Sequence, residues 1–185
     1  MKPLNLMILA LALCPPLAAG AAPAANCATP EYRQLDFWVG DWDTFEADAS
    51  SPASEARNHV SLILDDCVIY EIYADTGGMT GESFSIYDSA RKLWHQTWVT
   101  TRGHLLVLEG RMQGGRMVLL GDEPDADGRP AQQRVSWWPM HGGVRELGES
   151  SHDGGKSWTT DFDIVFRPHA ASASAFRAKP WEWGS

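Results

Sequence analysis

The stretch LDFWVGDWDT at residues 35–44 marks the point where a short helical segment gives way to the first β-strand. The preceding segment 29–31 is typical of a helix start, with a capping hydroxyl, a proline in the first turn and an acid near the positive end. We expect the helix to end by about Phe37, because Gly40 follows and the apolar residues then recur with a period of two. This stretch therefore predicts a short helix that leads directly into a β-sheet.

The chain beyond it divides into ten short segments of strand-like composition, separated by turns rich in Gly, Asp and Ser. None of these segments shows the 3.6-residue apolar stripe of a helix. Ten strands with tight links predict an all-β fold, an antiparallel up-and-down β-barrel, with a β-sandwich as the alternative. The predicted strands are 41–47, 57–65, 68–74, 81–87, 93–100, 104–112, 116–121, 133–139, 144–150 and 157–167.

Alternation within the strands predicts which side chains form the core. In the last strand the large apolar residues share one face, and turning that face outward would expose several aromatic rings. The same pattern in the fourth strand sets Phe84 and Ile86 against Ser83 and Ser85 and predicts the apolar pair inside. The predicted core face of the last strand carries Trp158, Thr160, Phe162, Ile164 and Phe166.

The fifth strand does not show which of its faces points inward. Trp94, Gln96 and Trp98 share one face, and Leu93, His95, Thr97 and Val99 share the other. Neither face is purely apolar, so periodicity leaves the direction open.

The first residues have the layout of a secretory signal peptide, with Lys2, an apolar run at 4–14 and a small-residue stretch after it. The apolar run is too short to span a bilayer. We expect the signal peptide to occupy residues 1–25 and to be removed. Acylation of Cys14, as in a lipoprotein, is the alternative.

The remaining chain of about 160 residues is long enough for one domain with one core. We expect a single barrel domain at 26–168 and a flexible tail at 169–185, where the sequence pattern is lost. The formal net charge of −9 and the lack of Lys/Arg runs argue against nucleic acid as a partner. No long apolar segment follows the signal peptide, so stable membrane insertion is not expected. Protein partners are left open.

Two cysteines, Cys27 and Cys67, stay in the chain after the signal peptide is removed. A cysteine pair in an exported chain predicts one disulfide, which would tie the new N terminus to the body of the domain. Two unpaired thiols that merely pack are the alternative. The signal peptide and the cysteine pair together predict an exported protein, periplasmic or extracellular.

The segment SSHDGGKSW at 150–158 has the chemistry of a tight turn, because Asp accepts backbone N–H bonds and Gly adopts positive φ. It resembles the Asp-box, which repeats once per blade in sialidase-type propellers, away from the catalytic pocket. Here it occurs once, and no 40–50-residue repeat surrounds it. The resemblance implies a hairpin staple without glycosidase activity. The matching residues are Ser151, Asp153, Gly155, Ser157 and Trp158.

Gly40 and Trp42 resemble the Gly-x-Trp signature of lipocalin-like (calycin) barrels. In those barrels a short helix closes one end, and the tryptophan packs under it against an arginine near the end of the last strand. The resemblance implies a helix that closes one end of this barrel. It also implies a cation–π contact between Trp42 and Arg167.

Further motifs in the same order resemble a family of secreted bacterial lipocalin-like proteins of unknown function. The resemblance covers roughly residues 34–168 and implies the fold, but no activity, catalytic residue or cofactor. The motifs that carry it are LDFWVGDW, Cys67 with Glu71, Gly81 with Ser83, Tyr87 and Asp88, Trp94 with Gln96 and Trp98, and the final turn at 151–158.

A closed barrel would enclose some polar side chains, and these are the candidates for a ligand site. Gln96 is the strongest, because an amide between two tryptophans could bind the polar end of a ligand. The alternative for each charged residue is a solvated pair on the outer face. The candidate lumen residues are Glu71, Trp94, Gln96, Trp98, Arg145 and Glu149, with Arg134 as a further charged residue.

No motif for metal, cofactor or nucleophilic catalysis appears. The calcium-like segment 123–128 has Arg134 at position twelve, where the loop needs a bidentate acid, so a hairpin turn is expected. The six histidines lack metal-ligand spacing, although one of them could bind haem iron as in nitrobindin-like barrels. We therefore expect no catalytic residue, no metal and no cofactor.

The sequence is compatible with three functions. The first is an exported barrel that binds a small, mostly apolar molecule in its lumen, and the nine tryptophans of the chain could line such a cavity. The second is an enzyme acting on a lipophilic substrate, with Glu71 or Glu149 as general base. The third is a non-catalytic envelope or interaction protein whose barrel is filled by side chains.

Overall fold

The computed structural model describes residues 27–48, 54–125 and 127–170. The signal peptide predicted at 1–25 and residues 171–185 of the predicted tail lie outside the described residues. Within the described part, no helix has both the length and the apolar character needed to cross a membrane.

Ten antiparallel strands form one closed barrel in which each strand pairs with its neighbours in sequence, and the last strand pairs with the first. The predicted up-and-down barrel is confirmed. The strands are β1 Gly40–Glu46, β2 Ala56–Ile63, β3 Val68–Asp75, β4 Thr80–Asp88, β5 Leu93–Thr100, β6 Leu105–Gln113, β7 Arg116–Asp122, β8 Gln132–Met140, β9 Gly143–Ser151 and β10 Thr159–Pro168.

The predicted N-terminal helix is present as two short 3₁₀ helices, Pro30–Arg33 and Asp36–Trp38. The Thr29 hydroxyl donates to the side chain of Glu31 at 2.6 Å instead of capping the backbone. Leu35, with φ −105° and ψ 5°, departs from helical geometry and separates the two turns.

The two 3₁₀ helices close one end of the barrel. Trp38 is 1% exposed, and its ring centroid lies 5.7 Å from that of Trp137 and 6.2 Å from that of Phe166. The indole N–H of Trp42 donates to the Trp38 carbonyl at 2.9 Å, and that of Trp94 donates to the Gln34 side chain at 3.0 Å. Residues 30–38 therefore act as a plug, anchored by the buried tryptophan at its C-terminal end.

Gly40 is required by the ring of Trp42. A Cβ atom at Gly40 would lie 2.6 Å from that ring, closer than real Cβ contacts allow.

The predicted contact between Trp42 and Arg167 is wrong. Trp42 points inward against Phe166, whereas the Arg167 guanidinium lies outside, 4.4 Å from the centre of the Phe45 ring. The physical reason is register. Trp42 pairs with Pro168, so the preceding residue on β10, Arg167, faces the opposite side of the sheet.

The prediction for β4 is reversed. Ser83 and Ser85 are fully buried on the inner face, whereas Phe84 and Ile86 are 46% and 37% exposed on the outer face. The serines pair across the sheet with Glu71 and Gln96, so polar side chains gather at this part of the lumen.

The last strand follows the prediction only in its second half. Phe162, Ile164 and Phe166 face the interior, but the register shifts between Thr160 and Phe162. This bulge reverses the alternation, so Thr160 is exposed and Trp158 is not part of the core. Placing these two residues in the core was wrong.

The predicted disulfide is confirmed. Cys27 and Cys67 are bonded, with their Cα atoms 5.1 Å apart and a sequence separation of 40. The bond joins the start of the plug to the turn between β2 and β3. The Arg33 guanidinium donates to the Asp66 carbonyl in the same turn. Both contacts hold the plug against the barrel.

The turn between β9 and β10 is closed by its own side chains. Asp153 accepts hydrogen bonds from the backbone and the hydroxyl of Ser157, at 2.9 and 2.6 Å, and these bonds lower its pKa to about 2. Gly155 donates its N–H to the Ser151 hydroxyl at 2.9 Å and accepts from the Trp158 indole at 3.1 Å. The Arg134 guanidinium covers the outward-facing Trp158 ring, 3.9 Å from its centre. The segment stabilises a hairpin.

Candidate ligand-binding cavity

The lumen contains a cavity of about 320 Å³. It extends from the middle of the barrel towards the rim opposite the plug, where Glu46, Met79 and His104 contribute to its wall. Most of the wall is apolar or aromatic. It includes Tyr73, Trp98, Leu106, Leu108, Val135, Trp137, Phe162, Ile164 and Phe166.

Glu71 is a buried carboxylate in this cavity, positioned by the inner face of β3. Its two oxygens accept hydrogen bonds from the Asn58 amide at 2.8 Å and from the Ser83 hydroxyl at 2.6 Å. Burial raises the pKa of Glu71 to about 7, although the two hydrogen bonds oppose this rise. The carboxyl group therefore keeps its proton to a higher pH than an exposed glutamate does.

A second carboxylate, Glu146 on β9, faces the same cavity. Burial and then the charge of Glu71 hold its pKa well above the ordinary value. The nearby indole of Trp137, which pairs with Glu146 across the strands, opposes this rise. The contact falls short of hydrogen-bond geometry, so the indole nitrogen has no partner among the described residues. Two carboxylates therefore share one apolar lumen and repel each other when both are ionised.

Of the predicted lumen residues, Gln96 and Trp98 lie in the cavity wall together with Glu71. The Gln96 amide donates to the Ser85 hydroxyl at 3.0 Å, and the Trp98 ring meets Tyr73 edge-on, with centroids 5.9 Å apart. The face of β5 that carries Gln96 and Trp98 therefore points into the lumen, a direction that periodicity alone left open.

Trp94 points inward as well but lies nearer the closed end. It is fully buried, its indole donates to Gln34, and its ring centroid is 6.1 Å from that of Tyr87. It therefore supports the plug rather than the cavity wall.

Arg145 and Glu149 lie on the outer face, so placing them in the lumen was wrong. Arg145 donates to Asp163 at 2.7 Å, and Glu149 accepts from Arg134 at 2.8 Å. The physical reason is strand alternation, because the residues between them that face inward are Glu146 and Gly148.

Glu146 and Asn58 are site residues that were not predicted from the sequence. Val144 and Glu146 share one face of β9, so treating Val144 as core would have brought Glu146 inside. Asn58 alternates in the same way with the buried Val60. The signal was present in both strands, but a polar residue between apolar neighbours was not recognised as inward-facing.

Negative charge dominates the cavity. Glu46, Glu71 and Glu146 contribute carboxylates, and the described wall residues include no Lys or Arg. The single histidine of the wall, His104, contacts Glu123 at the rim. Desolvation and neighbouring acids raise the pKa of Glu46 as well. No group of three or more His, Cys, Asp or Glu side chains in the described ranges could hold a metal ion.

Comparison of the chain with protein-family models and with curated proteins gave no match. Membership of the lipocalin-like family and the Asp-box assignment therefore stay predictions.

Proposed function

We propose that this protein binds a small, mostly apolar molecule in the barrel lumen. The observation that carries the proposal is the cavity of about 320 Å³ with a largely apolar and aromatic wall. Ligand pockets in proteins span roughly 300–1,000 Å³ and combine apolar walls with a few polar groups, so a small ligand fits this cavity best. Gln96, Glu71 and Glu146 are the polar groups that would orient it.

The cavity also bears on the alternative of a barrel filled by side chains. A filled barrel would leave no space of this size next to Trp98 and Trp137. The binding function is therefore favoured over a purely structural one. We further propose that the protein acts outside the cytoplasm, because the Cys27–Cys67 disulfide suits an oxidising compartment.

Two neighbouring leucines on β6 allow a matched test of ligand binding. Leu106 lines the cavity, whereas Leu105 is 57% exposed on the outer face. We expect the protein to bind the neutral fluorescent probe N-phenyl-1-naphthylamine. The Leu106→Trp variant should bind it at least about tenfold more weakly, because the larger ring occupies the cavity. The Leu105→Trp variant should bind within about twofold of the unmodified protein, as a surface substitution does.

Fluorescence titration of the probe measures all three proteins under the same conditions. Circular dichroism of both variants checks that the barrel is intact. No probe binding below millimolar concentrations, or equal affinity in the two variants, would contradict lumen binding.

A second candidate function is favoured by one observation on Glu71. A carboxylate with a pKa of about 7 inside an apolar cavity has the ionisation of a general base at neutral pH. In this candidate, Glu71 removes a proton from a lipophilic substrate. Glu149, the other base predicted from the sequence, is excluded from this role because it faces outward and pairs with Arg134.

Proton abstraction from 5-nitrobenzisoxazole, a generic probe of carboxylate bases in apolar cavities, tests this candidate. We expect a catalysed rate that rises with pH through about 7 and is lost in Glu71→Gln, because the amide cannot accept the proton. Glu149→Gln should keep the rate. A rate equal to that of acetate in buffer would leave Glu71 without a catalytic role.

A further inference from the structure

We infer that the ligand of the lumen carries a protonated amine, which docks between the carboxylates of Glu71 and Glu146. The inference rests on the proposed binding function and specifies the chemical class of the ligand. It follows from three properties of the cavity wall: its charge, its hydrogen-bond balance and its aromatic content.

No cationic side chain among the described residues pairs with either carboxylate. Glu71 is held only by the neutral groups of Asn58 and Ser83, and Glu146 has no ion-pair partner among the described residues. Buried charges in proteins are normally paired, because an isolated charge in an apolar environment is strongly unfavourable. A cationic ligand head would supply the missing partner.

Hydrogen-bond acceptors without a partner outnumber such donors around the pair, where the indole N–H of Trp137 is the one unpartnered donor in the described wall. The Asn58 side chain is 1% exposed and donates to Glu71, but its own carbonyl oxygen has no donor among the described residues. Each carboxylate can accept further bonds, since an ionised carboxylate has about four lone-pair sites. An ammonium group brings three donors and no acceptor. It matches this surplus better than a hydroxyl or a carboxylate does.

Aromatic rings surround the same space. Tyr73, Trp98, Trp137 and Phe162 all lie in the cavity wall. The faces of such rings attract cations, most strongly where water is excluded. An aromatic wall with carboxylates at its centre is therefore suited to an ammonium head on an apolar body. The Trp137 indole, whose nitrogen has no partner among the described residues, lies beside the Glu146 carboxylate.

Binding of such a ligand should release a proton. The titratable groups of the cavity wall are Glu46, Glu71, Tyr73, His104 and Glu146. Burial raises the pKa of Glu71 and of Glu146, and the charge of Glu71 adds to the rise at Glu146, so the pair retains a proton near neutral pH. An ammonium group between the two carboxylates favours their ionised forms. Affinity for an amine should therefore increase as the pH rises through about 7.

The inference is tested with three ligands of the same chain length, octylamine, 1-octanol and octanoate, each displacing N-phenyl-1-naphthylamine from the full protein. We expect octylamine to bind at least about tenfold more tightly than 1-octanol, and octanoate to bind most weakly, because like charges repel. Octylamine affinity should increase about tenfold from pH 6 to pH 8, as expected for release of one proton. The affinity of 1-octanol should not change.

A pair of variants locates the effect. Glu146→Gln should weaken the binding of octylamine at least about tenfold, because only the amine needs the charge. The affinity for 1-octanol should stay within about twofold of that of the unmodified protein. Glu149→Gln removes a carboxylate from the outer face and should leave both affinities unchanged. If Glu146→Gln does not fold, the ligand series and the pH dependence of the unmodified protein still decide the inference.

Two negative outcomes are distinguishable. If 1-octanol or octanoate binds as tightly as octylamine, or if octylamine affinity does not depend on pH, the amine inference is overturned and the proposed binding function stands. If the fluorescent probe does not bind and none of the three ligands changes the intrinsic tryptophan fluorescence of the protein, both the inference and the proposed function are overturned.

Discussion

Replacement of Trp38 with alanine is expected to lower the free energy of unfolding by about 3–5 kcal/mol, the range for truncating a large buried aromatic side chain. Trp38 is the last residue of the plug, 1% exposed and in contact with Trp137 and Phe166. Without its ring, residues 30–38 would cover the barrel end with a void beneath them. The carbonyl of residue 38 would keep its bond from Trp42 only if the backbone held its position.

Urea unfolding, followed by circular dichroism, measures this effect. The midpoint should fall while the slope stays constant, which marks a change in stability alone. Trp138→Ala is the matched control, because Trp138 lies on the outer face. The guanidinium of Arg116 covers its ring, 3.9 Å from the ring centre. Loss of this ring should lower the free energy of unfolding by about 1 kcal/mol, which is typical of an exposed cation–π contact. Equal losses in the two variants would show that the plug is not a principal source of stability.

Acidification from pH 8 to pH 5 is expected to stabilise the protein through Glu71, by up to about 3 kcal/mol. The pKa of Glu71 is raised from 4.5 to about 7 by burial. The folded state therefore holds the proton more tightly than the unfolded state does. The stabilising contribution is fully present below about pH 4.5 and is lost as the pH rises through about 7. The magnitude follows from about 1.4 kcal/mol for each pH unit between the two values.

Glu71→Gln removes this contribution, together with the charge that raises the pKa of Glu146. The amide cannot ionise, so the variant should gain stability relative to the unmodified protein as the pH rises from 5 to 8. Hydrogen bonds lost to Ser83 or Asn58 would shift the difference by the same amount at every pH. Glu149→Gln, on the outer face, should follow the pH dependence of the unmodified protein. Asp153 makes stability depend on pH in the opposite direction, because its pKa is lowered to about 2. This dependence appears only in more acidic solution.

Unfolding free energies from denaturant titrations at pH 5, 6, 7 and 8 measure the effect. A difference between Glu71→Gln and the unmodified protein that stays constant over this range would contradict a raised pKa for Glu71. Glu146 contributes in the same direction, because burial and the charge of Glu71 raise its pKa too.

Local sequence determined the architecture of this protein. Ten period-two segments between turn residues predict the closed antiparallel barrel, because short links allow only neighbouring strands to pair. The segment LDFWVGDWDT predicts the short helix and its junction with β1, and its resemblance to calycin barrels implies that the helix closes one end. Gly40 is explained by the ring of Trp42 two residues later. Cys27 and Cys67, the pair left after the predicted signal peptide, form the disulfide. Each of these features depends on residues close in sequence or, for the disulfide, on a single pair of cysteines.

The tertiary structure alone decided what the lumen contains. Alternation divides a strand into two faces but does not say which face is enclosed, and for β4 the apolar face proved to be the outer one. The enclosed face is set by partners on neighbouring strands, as Ser83 is set by Glu71. A one-residue bulge likewise moved Trp158 outside. Glu71 and Glu146 lie on strands far apart in the chain, and only barrel closure brings their charges into one cavity, where burial raises both pKa values.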